Sequence, residues 1–232
     1  MTALSEKIAL VTGASRGLGY ALARSLAAEG AHVIALARTA GGLEELDDEI
    51  QAAGGAATLT PLDLKDDPGL ERLGAAIHER WGRLDILAHC AATPAPLSPA
   101  EHAAPTDLDG AVATNFRATQ RLIRVVDPLL KATDEAQAVF LDDPDVLGAK
   151  FFGAYSASKA AARALALSYA AETARIGPRV WLAVPQPMPT ALRGRFHPGE
   201  NRDALVSCDE MAAKLTARIV AADAEPGATV RL

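Results

Sequence analysis

The sequence predicts a doubly wound α/β domain: a parallel sheet of about seven strands with helices on both faces. The chain has 232 residues, and 50% of them are hydrophobic, so it can bury a sizeable core. Short apolar runs alternate with stretches of helical periodicity along nearly the whole length, which is typical of a parallel sheet covered by helices. No segment has the composition of a linker, and no repeat of about 20–50 residues occurs. Residues 1–232 are therefore expected to form a single domain.

The first half of the chain supplies four strands and three helices in alternation. Short apolar runs flanked by Gly, Pro and Asp predict strands at Lys7–Thr12, His32–Ala37, Ala57–Pro61 and Asp85–Cys90. Helical patterns between these runs predict helices at Gly17–Glu29, Ala40–Ala53 and Asp67–Trp81.

The second half continues the same alternation. It predicts a long helix at Thr106–Lys131, a strand at Ala136–Asp142, a helix at Gly153–Ile176, a strand at Arg179–Val184, a helix at Asp209–Ala222 and a short edge strand at Ala228–Leu232.

Two proline-rich segments interrupt the alternation. Thr93–Pro105 contains four prolines and Pro185–Pro189 contains three, so neither is predicted as a regular element. Each follows the carboxyl end of a predicted strand, which is the edge where open α/β sheets bind ligands. Residues 185–210 are therefore expected to cover a substrate; an ordinary surface loop is the alternative interpretation.

Composition and charge exclude several classes of protein. Lys and Arg total 23 and Asp and Glu total 29, so the net charge is −6, and no basic cluster suits nucleic acid. The N-terminus lacks the basic-then-apolar layout of a signal peptide, and no run of about 18 apolar residues could cross a membrane. Two cysteines cannot build a disulfide framework. We expect a cytoplasmic protein that binds no metal, nucleic acid or membrane.

A glycine-rich turn joins the first predicted strand to the first predicted helix. Its glycines allow a tight turn and a close approach to a pyrophosphate, whose charge lies at the helix N-terminus. The position of the turn early in a strand–helix–strand unit is the context that this motif requires. The residues of the turn expected to bind a dinucleotide are Gly13, Ser15, Arg16, Gly17, Leu18 and Gly19.

Four motifs occur in one order along the chain: Thr-Gly-x-x-x-Gly-x-Gly at 12–19, Asp63-Leu64, Asn115, and Tyr155-x-x-x-Lys159. In this order they resemble the short-chain dehydrogenase/reductase family, and the resemblance covers essentially the whole chain. It implies a Rossmann-type nucleotide-binding fold and hydride transfer between a carbonyl and an alcohol. It also implies that Asp63 and Leu64 contact the adenine, and that Ala91, Pro185 and Thr190 lie around the nicotinamide.

The end of the second predicted strand indicates which cofactor is preferred. NAD sites usually place an acidic residue there, but this chain has Ala37 followed by Arg38. Arg16 in the glycine turn and Arg38 could hold a 2′-phosphate bidentately. NADP(H) is therefore predicted, with NAD(H) as the alternative cofactor; solvated surface arginines are the competing interpretation.

Tyr155 and Lys159 lie four residues apart on a predicted helix, so their side chains point the same way. A nearby ammonium is expected to lower the pKa of the phenol, which lets Tyr155 exchange a proton with a substrate oxygen. The resemblance implies that Lys159 and Tyr155 also contact the cofactor, and that Asn115 holds a water in the proton relay.

The reaction centre departs from the family pattern. The family places a serine thirteen residues before the tyrosine, where this chain has Asp142. A carboxylate can only accept hydrogen bonds, whereas a protonated carboxyl can donate one. The family's Asn-Asn-Ala-Gly is replaced by His89-Cys90-Ala91-Ala92, and its Asn-Pro-Gly by Val184-Pro185-Gln186.

Three functions remain open at this point. The preferred one is an NADP(H)-dependent oxidoreductase acting on a small-molecule carbonyl or alcohol, with Tyr155, Lys159, Asn115 and Asp142 as candidate catalytic residues. The second is an NADP(H)-binding homologue that does not turn over and acts as a sensor or scaffold. The third is a structural oligomer without a ligand. Because the family uses the helix at 153–176 as a subunit interface, the resemblance implies a homodimer or homotetramer.

Overall fold

The computed structural model of this protein describes residues 2–232. Within that range the chain forms one seven-stranded sheet in which every neighbouring pair of strands is parallel, in the order β3-β2-β1-β4-β5-β6-β7. The strands are β1 (Ile8–Thr12), β2 (His32–Ala37), β3 (Ala56–Pro61), β4 (Ile86–His89), β5 (Gln137–Leu141), β6 (Arg179–Val184) and β7 (Thr229–Arg231). The central strands β1 and β4 are buried along their whole length, since helices cover both faces.

Helices lie on both faces of this sheet. They are α1 (Gly17–Ala28), α2 (Ala40–Ala52), α3 (Asp67–Trp81), α4 (Pro105–Ala111), α5 (Ala118–Leu130), α6 (Gly153–Thr173), α7 (Ala191–Phe196) and α8 (Cys208–Ala221). The helices α1, α2 and α8 supply one apolar core, with Leu22, Leu46 and Leu215 at its centre. The helices α3, α5 and α6 supply the other. The fold is therefore the doubly wound α/β domain that the sequence predicts.

The structure corrects two parts of the predicted element order. The helix expected at Thr106–Lys131 is α4 and α5 joined by a π-helical segment, Val112–Arg117. Such segments are rare and often lie at functional sites. The short helix α7 was predicted only as part of a loop, because six residues are too few to show a helical period.

The order in which strands are added to the sheet changes side at β1. The strand β2 follows β1 on one side, whereas β4 pairs with β1 on the other. In sheets of this kind the crevice at the carboxyl ends of such strands is where ligands bind. No helix within residues 2–232 is both long and apolar enough to span a membrane.

Candidate active site

A cleft of about 840 Å³ opens at the carboxyl ends of the strands. Its walls come from the glycine turn after β1, the ends of β2, β4, β5 and β6, and the segment from Pro185 to His197. The cleft contains every candidate residue from the sequence except Asn115, which is buried behind its wall. The volume is in the range of small-molecule and cofactor sites.

The glycine turn is packed too tightly for side chains at two positions. A Cβ on Gly13, whose φ is 70°, would lie 3.0 Å from the Cα and backbone N of Ala91. A Cβ on Gly19 would lie 2.4 Å from the carbonyl oxygen of Gly13. These glycines let the turn fold against β4 at the start of α1, so that a phosphate could approach the backbone.

Arg16 and Arg38 lie on the cleft at the end of β2, with exposed side chains. Neither guanidinium has an ion-pair partner in the described part of the chain. Ala37, the last residue of β2, is buried and offers no carboxylate to a ribose. These two guanidinium groups could hold a phosphate, and the end of β2 lacks the carboxylate that usually accepts from a ribose hydroxyl in an NAD site.

The residues expected around adenine and nicotinamide also lie on the cleft. Asp63 accepts a hydrogen bond from the backbone N of Lys65 at 2.9 Å, and Leu64 is buried in the core beneath it. Thr190 caps α7 by accepting from the backbone N of Arg193 at 3.2 Å. A Cβ on Gly17 would contact the Cγ2 of Thr190 at 3.4 Å, so the segment after β6 lies directly across from the glycine turn.

Tyr155 and Lys159 project from α6 into the cleft, as their spacing predicts. Tyr155 is 3% exposed. Its pKa is raised above 10, first by burial and then by the charges of Asp143 and Asp142. The sequence led us to expect that Lys159 lowers this pKa, whereas burial and the two carboxylates raise it. The Nζ of Lys159 donates to the carbonyl oxygen of Leu141 at 2.6 Å, and burial lowers the pKa of that amine.

Asp142, at the position of the family's serine, lines the cleft with its carboxylate held by a cation. Its carboxylate forms a buried ion pair with Arg163, which lies two turns after Tyr155 on α6. The Nη2 of Arg163 also donates to Thr229 at 3.1 Å. Of the two carboxylates, the charge of Asp143 has the larger effect on the pKa of Tyr155.

Asn115 is buried in the π-helical segment, with its side chain fully engaged. Its Oδ1 accepts from the backbone N of Thr93 at 2.7 Å, and its Nδ2 donates to the carbonyl oxygen of Thr93 at 3.0 Å. The same Nδ2 donates to the Oγ of Ser158 at 2.9 Å. The side chain therefore ties the loop after β4 to α6, directly behind Tyr155. That Asn115 holds a water in the proton relay stays a prediction.

His89 is a functional candidate that sequence reasoning passed over. The backbone N of Ala91 donates to Thr12 Oγ1 at 3.2 Å, and that hydroxyl lies 2.8 Å from His89 Nδ1. On the other side, Thr119 Oγ1 donates to the carbonyl oxygen of Asn115 at 2.8 Å and lies 2.9 Å from His89 Nε2. Since Thr119 already donates to Asn115, its oxygen accepts from His89 Nε2, and in the neutral imidazole Nδ1 then accepts from the Thr12 hydroxyl. Burial and the charge of Lys159 lower the pKa of His89 to about 3.

Ala92 stands after β4 where the family pattern has a glycine, and its backbone is not strained. Ala92 has no positive φ, so its methyl group fits an ordinary backbone conformation. Cys90 is half-buried and burial raises its pKa to about 12, which makes it a small apolar side chain rather than a nucleophile. Over the described range, no group of three or more His, Cys, Asp and Glu side chains is arranged to hold a metal ion.

A small aromatic cluster closes the far end of the cleft. The ring of Phe196 on α7 lies 4.8 Å from that of Tyr155 and 4.9 Å from that of Phe152, measured between centroids. Arg193 is held by Glu200 through two hydrogen bonds of 2.7 and 2.6 Å, so its charge is already paired. The segment after β6 therefore lies over Tyr155 with an apolar surface.

The fold and this cleft define a dinucleotide-binding α/β protein with a tyrosine–lysine pair at the far end of its site. Residues 7–201 match the model of the short chain dehydrogenase family, and the chain belongs to that family. A fatty acyl-CoA reductase from Acinetobacter baylyi is 34% identical over 170 residues, which are 72% of this chain and 57% of that relative. The chain thus spans little more than half the length of some curated relatives.

Two further comparisons cover more of the other protein. The D-threitol dehydrogenase of Mycolicibacterium smegmatis is 31% identical over 211 residues, covering 87% of this chain and 78% of that one. A metagenomic short-chain oxidoreductase solved in complex with NADP superposes with a TM-score of 0.82 and 28% identity over 99% of both chains. The family is one of oxidoreductases, and its NADP complexes support nicotinamide cofactor binding by this fold.

Proposed function

We propose that this chain is an NADP(H)-dependent oxidoreductase that interconverts a small-molecule carbonyl and alcohol. The observation that carries the proposal is a single cleft that joins the glycine turn and the unpaired Arg16 and Arg38 to Tyr155 and Lys159. A cofactor that places its phosphates at the turn would extend along the strand ends towards the tyrosine.

Each part of the cleft has a role in holding the cofactor. The backbone of the turn, from Gly13 to Gly19, receives the pyrophosphate at the N-terminus of α1. Arg16 and Arg38 bind the 2′-phosphate, and Asp63 and Leu64 border the adenine. Lys159 binds the ribose next to the nicotinamide. When bound, the cofactor supplies or accepts a hydride.

Tyr155 exchanges the proton that must accompany the hydride. Its hydroxyl is buried against Phe196, so water is largely excluded from the oxygen that it protonates. Asn115 fixes the loop at Thr93 and the helix at Ser158, and so positions the tyrosine from behind. The apolar segment within residues 185–210 covers the substrate.

Cofactor preference is tested by thermal stabilisation. NADPH should raise the melting temperature of the wild type more than NADH does. Since a charged hydrogen bond contributes about 1.5–3 kcal/mol, Arg16→Ala or Arg38→Ala should weaken NADPH binding by about tenfold or more and leave NADH binding nearly unchanged. Arg72→Ala, which removes an exposed arginine outside the cleft, is the matched control. Equal loss for both cofactors would contradict the assignment of the two arginines.

Turnover is tested by NADPH oxidation over a panel of ketones and aldehydes. The wild type should oxidise NADPH with at least one of them, and Tyr155→Phe should lose at least about a hundredfold in rate while still binding NADPH. Full turnover by Tyr155→Phe would remove Tyr155 from the mechanism.

A second function, a cofactor-binding sensor or scaffold without turnover, rests on a separate observation. The pKa of Tyr155 is raised, and the hydroxyl of the family pattern is replaced by carboxylates. This alternative predicts NADPH binding without oxidation by any carbonyl in the panel.

Both functions are proposed for a cytoplasmic homodimer or homotetramer. Two small exposed side chains of α6, Ala157 and Ala164, would allow a helix of another subunit to approach closely.

A further inference from the structure

Two consecutive carboxylates follow β5, and they face different surroundings. The Asp142 side chain is 4% exposed and is paired with Arg163. Its backbone N donates to the carbonyl oxygen of Ala183 at 2.9 Å, which continues the ladder of β5 and β6 and fixes the direction of its side chain. Asp143, one residue further on, is half-buried and faces the cleft next to Tyr155.

The cations around Asp143 are already committed to other groups. Arg193 on α7 is held by Glu200 through two hydrogen bonds, and Arg163 is paired with Asp142. Lys159 on α6 donates to the carbonyl oxygen of Leu141. Among the residues that the structure describes, Asp143 has no ion-pair partner within 4.0 Å.

These surroundings favour the protonated form of Asp143. Burial raises its pKa, and the nearby carboxylates of Asp145 and Asp142 raise it further, against the opposing charges of Lys159 and Arg193. Tyr155 lines the same cleft, near enough for the charge of Asp143 to raise the pKa of its hydroxyl. The protonated carboxyl can donate its proton, which the ionised form cannot.

We propose that Asp143 is a proton-relay residue: its carboxylic acid re-protonates Tyr155 during carbonyl reduction. This inference rests on the proposed function and deepens it. A reduced nicotinamide dinucleotide donates a hydride to the carbonyl carbon, and the Tyr155 O–H bond breaks as its proton passes to the carbonyl oxygen. The Asp143 O–H bond then breaks, its proton passes to the phenolate, and a hydronium ion or buffer acid restores the carboxyl. Alcohol oxidation runs through the same steps in reverse.

The relay gives the reaction a pH dependence of known sign. Below the pKa of Asp143 the acid is present and reduction proceeds. Above that pKa the carboxylate accepts from the Tyr155 hydroxyl and retains its proton, so the rate of reduction falls as pH rises. Because the pKa is raised, this decline should lie above the range of an ordinary aspartate, which is centred at about 3.9.

The test compares three variants with the wild type in NADPH-dependent reduction of a carbonyl that the wild type turns over. Asp143→Asn keeps the shape and removes the proton, and should lower the rate at the pH optimum at least about tenfold and abolish the decline. Asp143→Glu restores an acid and should restore the decline. Asp145→Asn removes an exposed carboxylate that is paired with Arg231 and that raises the pKa of Asp143, so this variant should keep the decline but show it at lower pH. Melting temperatures and NADPH-induced stabilisation show whether each variant is folded.

A titration of ¹³C-labelled aspartate carboxyls provides a readout that needs no turnover. The Asp143 resonance, assigned by its loss in Asp143→Asn, should titrate above the ordinary range in the protein without cofactor, and Tyr155→Phe should shift its midpoint. An ordinary midpoint that Tyr155→Phe leaves unmoved, or an Asp143→Asn enzyme with the pH profile of the wild type, would overturn the relay. If no carbonyl is reduced by the wild type, the proposed function fails, and the titration alone decides whether Asp143 shares a proton with Tyr155.

Discussion

The buried ion pair between Asp142 and Arg163 yields a stability prediction whose size follows from the structure. The Asp142 side chain is 4% exposed and the Arg163 side chain 27%. Arg163→Met removes the cation, keeps most of the apolar stem, and leaves a buried carboxylate without its partner. Breaking such a pair costs about 3–5 kcal/mol, and the partial exposure of Arg163 places the expected cost at the lower end. In a domain of this size, about 3 kcal/mol corresponds to a fall of about 6–12 °C in melting temperature.

The assay is thermal unfolding of a double-mutant cycle with Arg163→Met, Asp142→Leu and both together. Because Asp142→Leu removes the unpaired charge, the double variant should be more stable than the sum of the two single losses predicts. Arg231→Met is the matched control, since it breaks the Asp145 pair, whose side chains are 64% and 67% exposed. An exposed pair contributes about 0–1 kcal/mol. If Arg163→Met and Arg231→Met have the same melting temperature, or if the cycle is additive, the assignment of Asp142 to a structural ion pair is refuted.

Two further variants test the network behind the site and the glycine turn. The pKa of His89 is lowered to about 3 from 6.5, so below about pH 6.5 the unfolded chain binds a proton that the folded protein does not, and stability falls on acidification. Between neutral pH and about pH 4, the melting temperature of His89→Asn should therefore fall less than that of the wild type. The control is His102→Asn, which replaces an exposed histidine and should behave as the wild type does. Equal falls in all three proteins would contradict this. Gly19→Ala places a Cβ 2.4 Å from the Gly13 carbonyl oxygen and should abolish stabilisation by NADPH, whereas Gly41→Ala, with nothing within 4 Å, should retain it. Stabilisation of Gly19→Ala equal to that of the wild type would show that the turn does not bind phosphate.

Most of the sheet could be predicted from the sequence because its strands are buried on both faces. A strand such as β2 is a continuous apolar run between turn residues, which local sequence reveals directly. The glycine turn could be predicted for a similar reason: its residues are adjacent in the chain, and their backbone requirements are local. Helical spacing places Tyr155 and Lys159 on one face of a helix, and the resemblance to the family indicated that this face belongs to a site.

The parts that the sequence did not reveal depend on contacts between distant segments. Asp142 was assigned to the reaction centre by counting back from Tyr155, but the cation that holds it, Arg163, lies on another element. The network of His89 joins β1, β4 and α5, and no spacing within one segment indicates it. The raised pKa of Tyr155 likewise comes from burial and from carboxylates that only the folded chain brings together.

Hydride transfer through this cleft is the central claim, and isotope transfer measures it most directly. NADPH carrying deuterium at C4 of the nicotinamide, on the transferred face, would be incubated with each carbonyl and the alcohol analysed by mass spectrometry. The wild type should yield an alcohol with one deuterium on the former carbonyl carbon, and Tyr155→Phe should bind NADPH but yield little labelled product. NADPH binding by the wild type without deuterium in any alcohol would contradict the claim and leave a cofactor-binding protein without turnover.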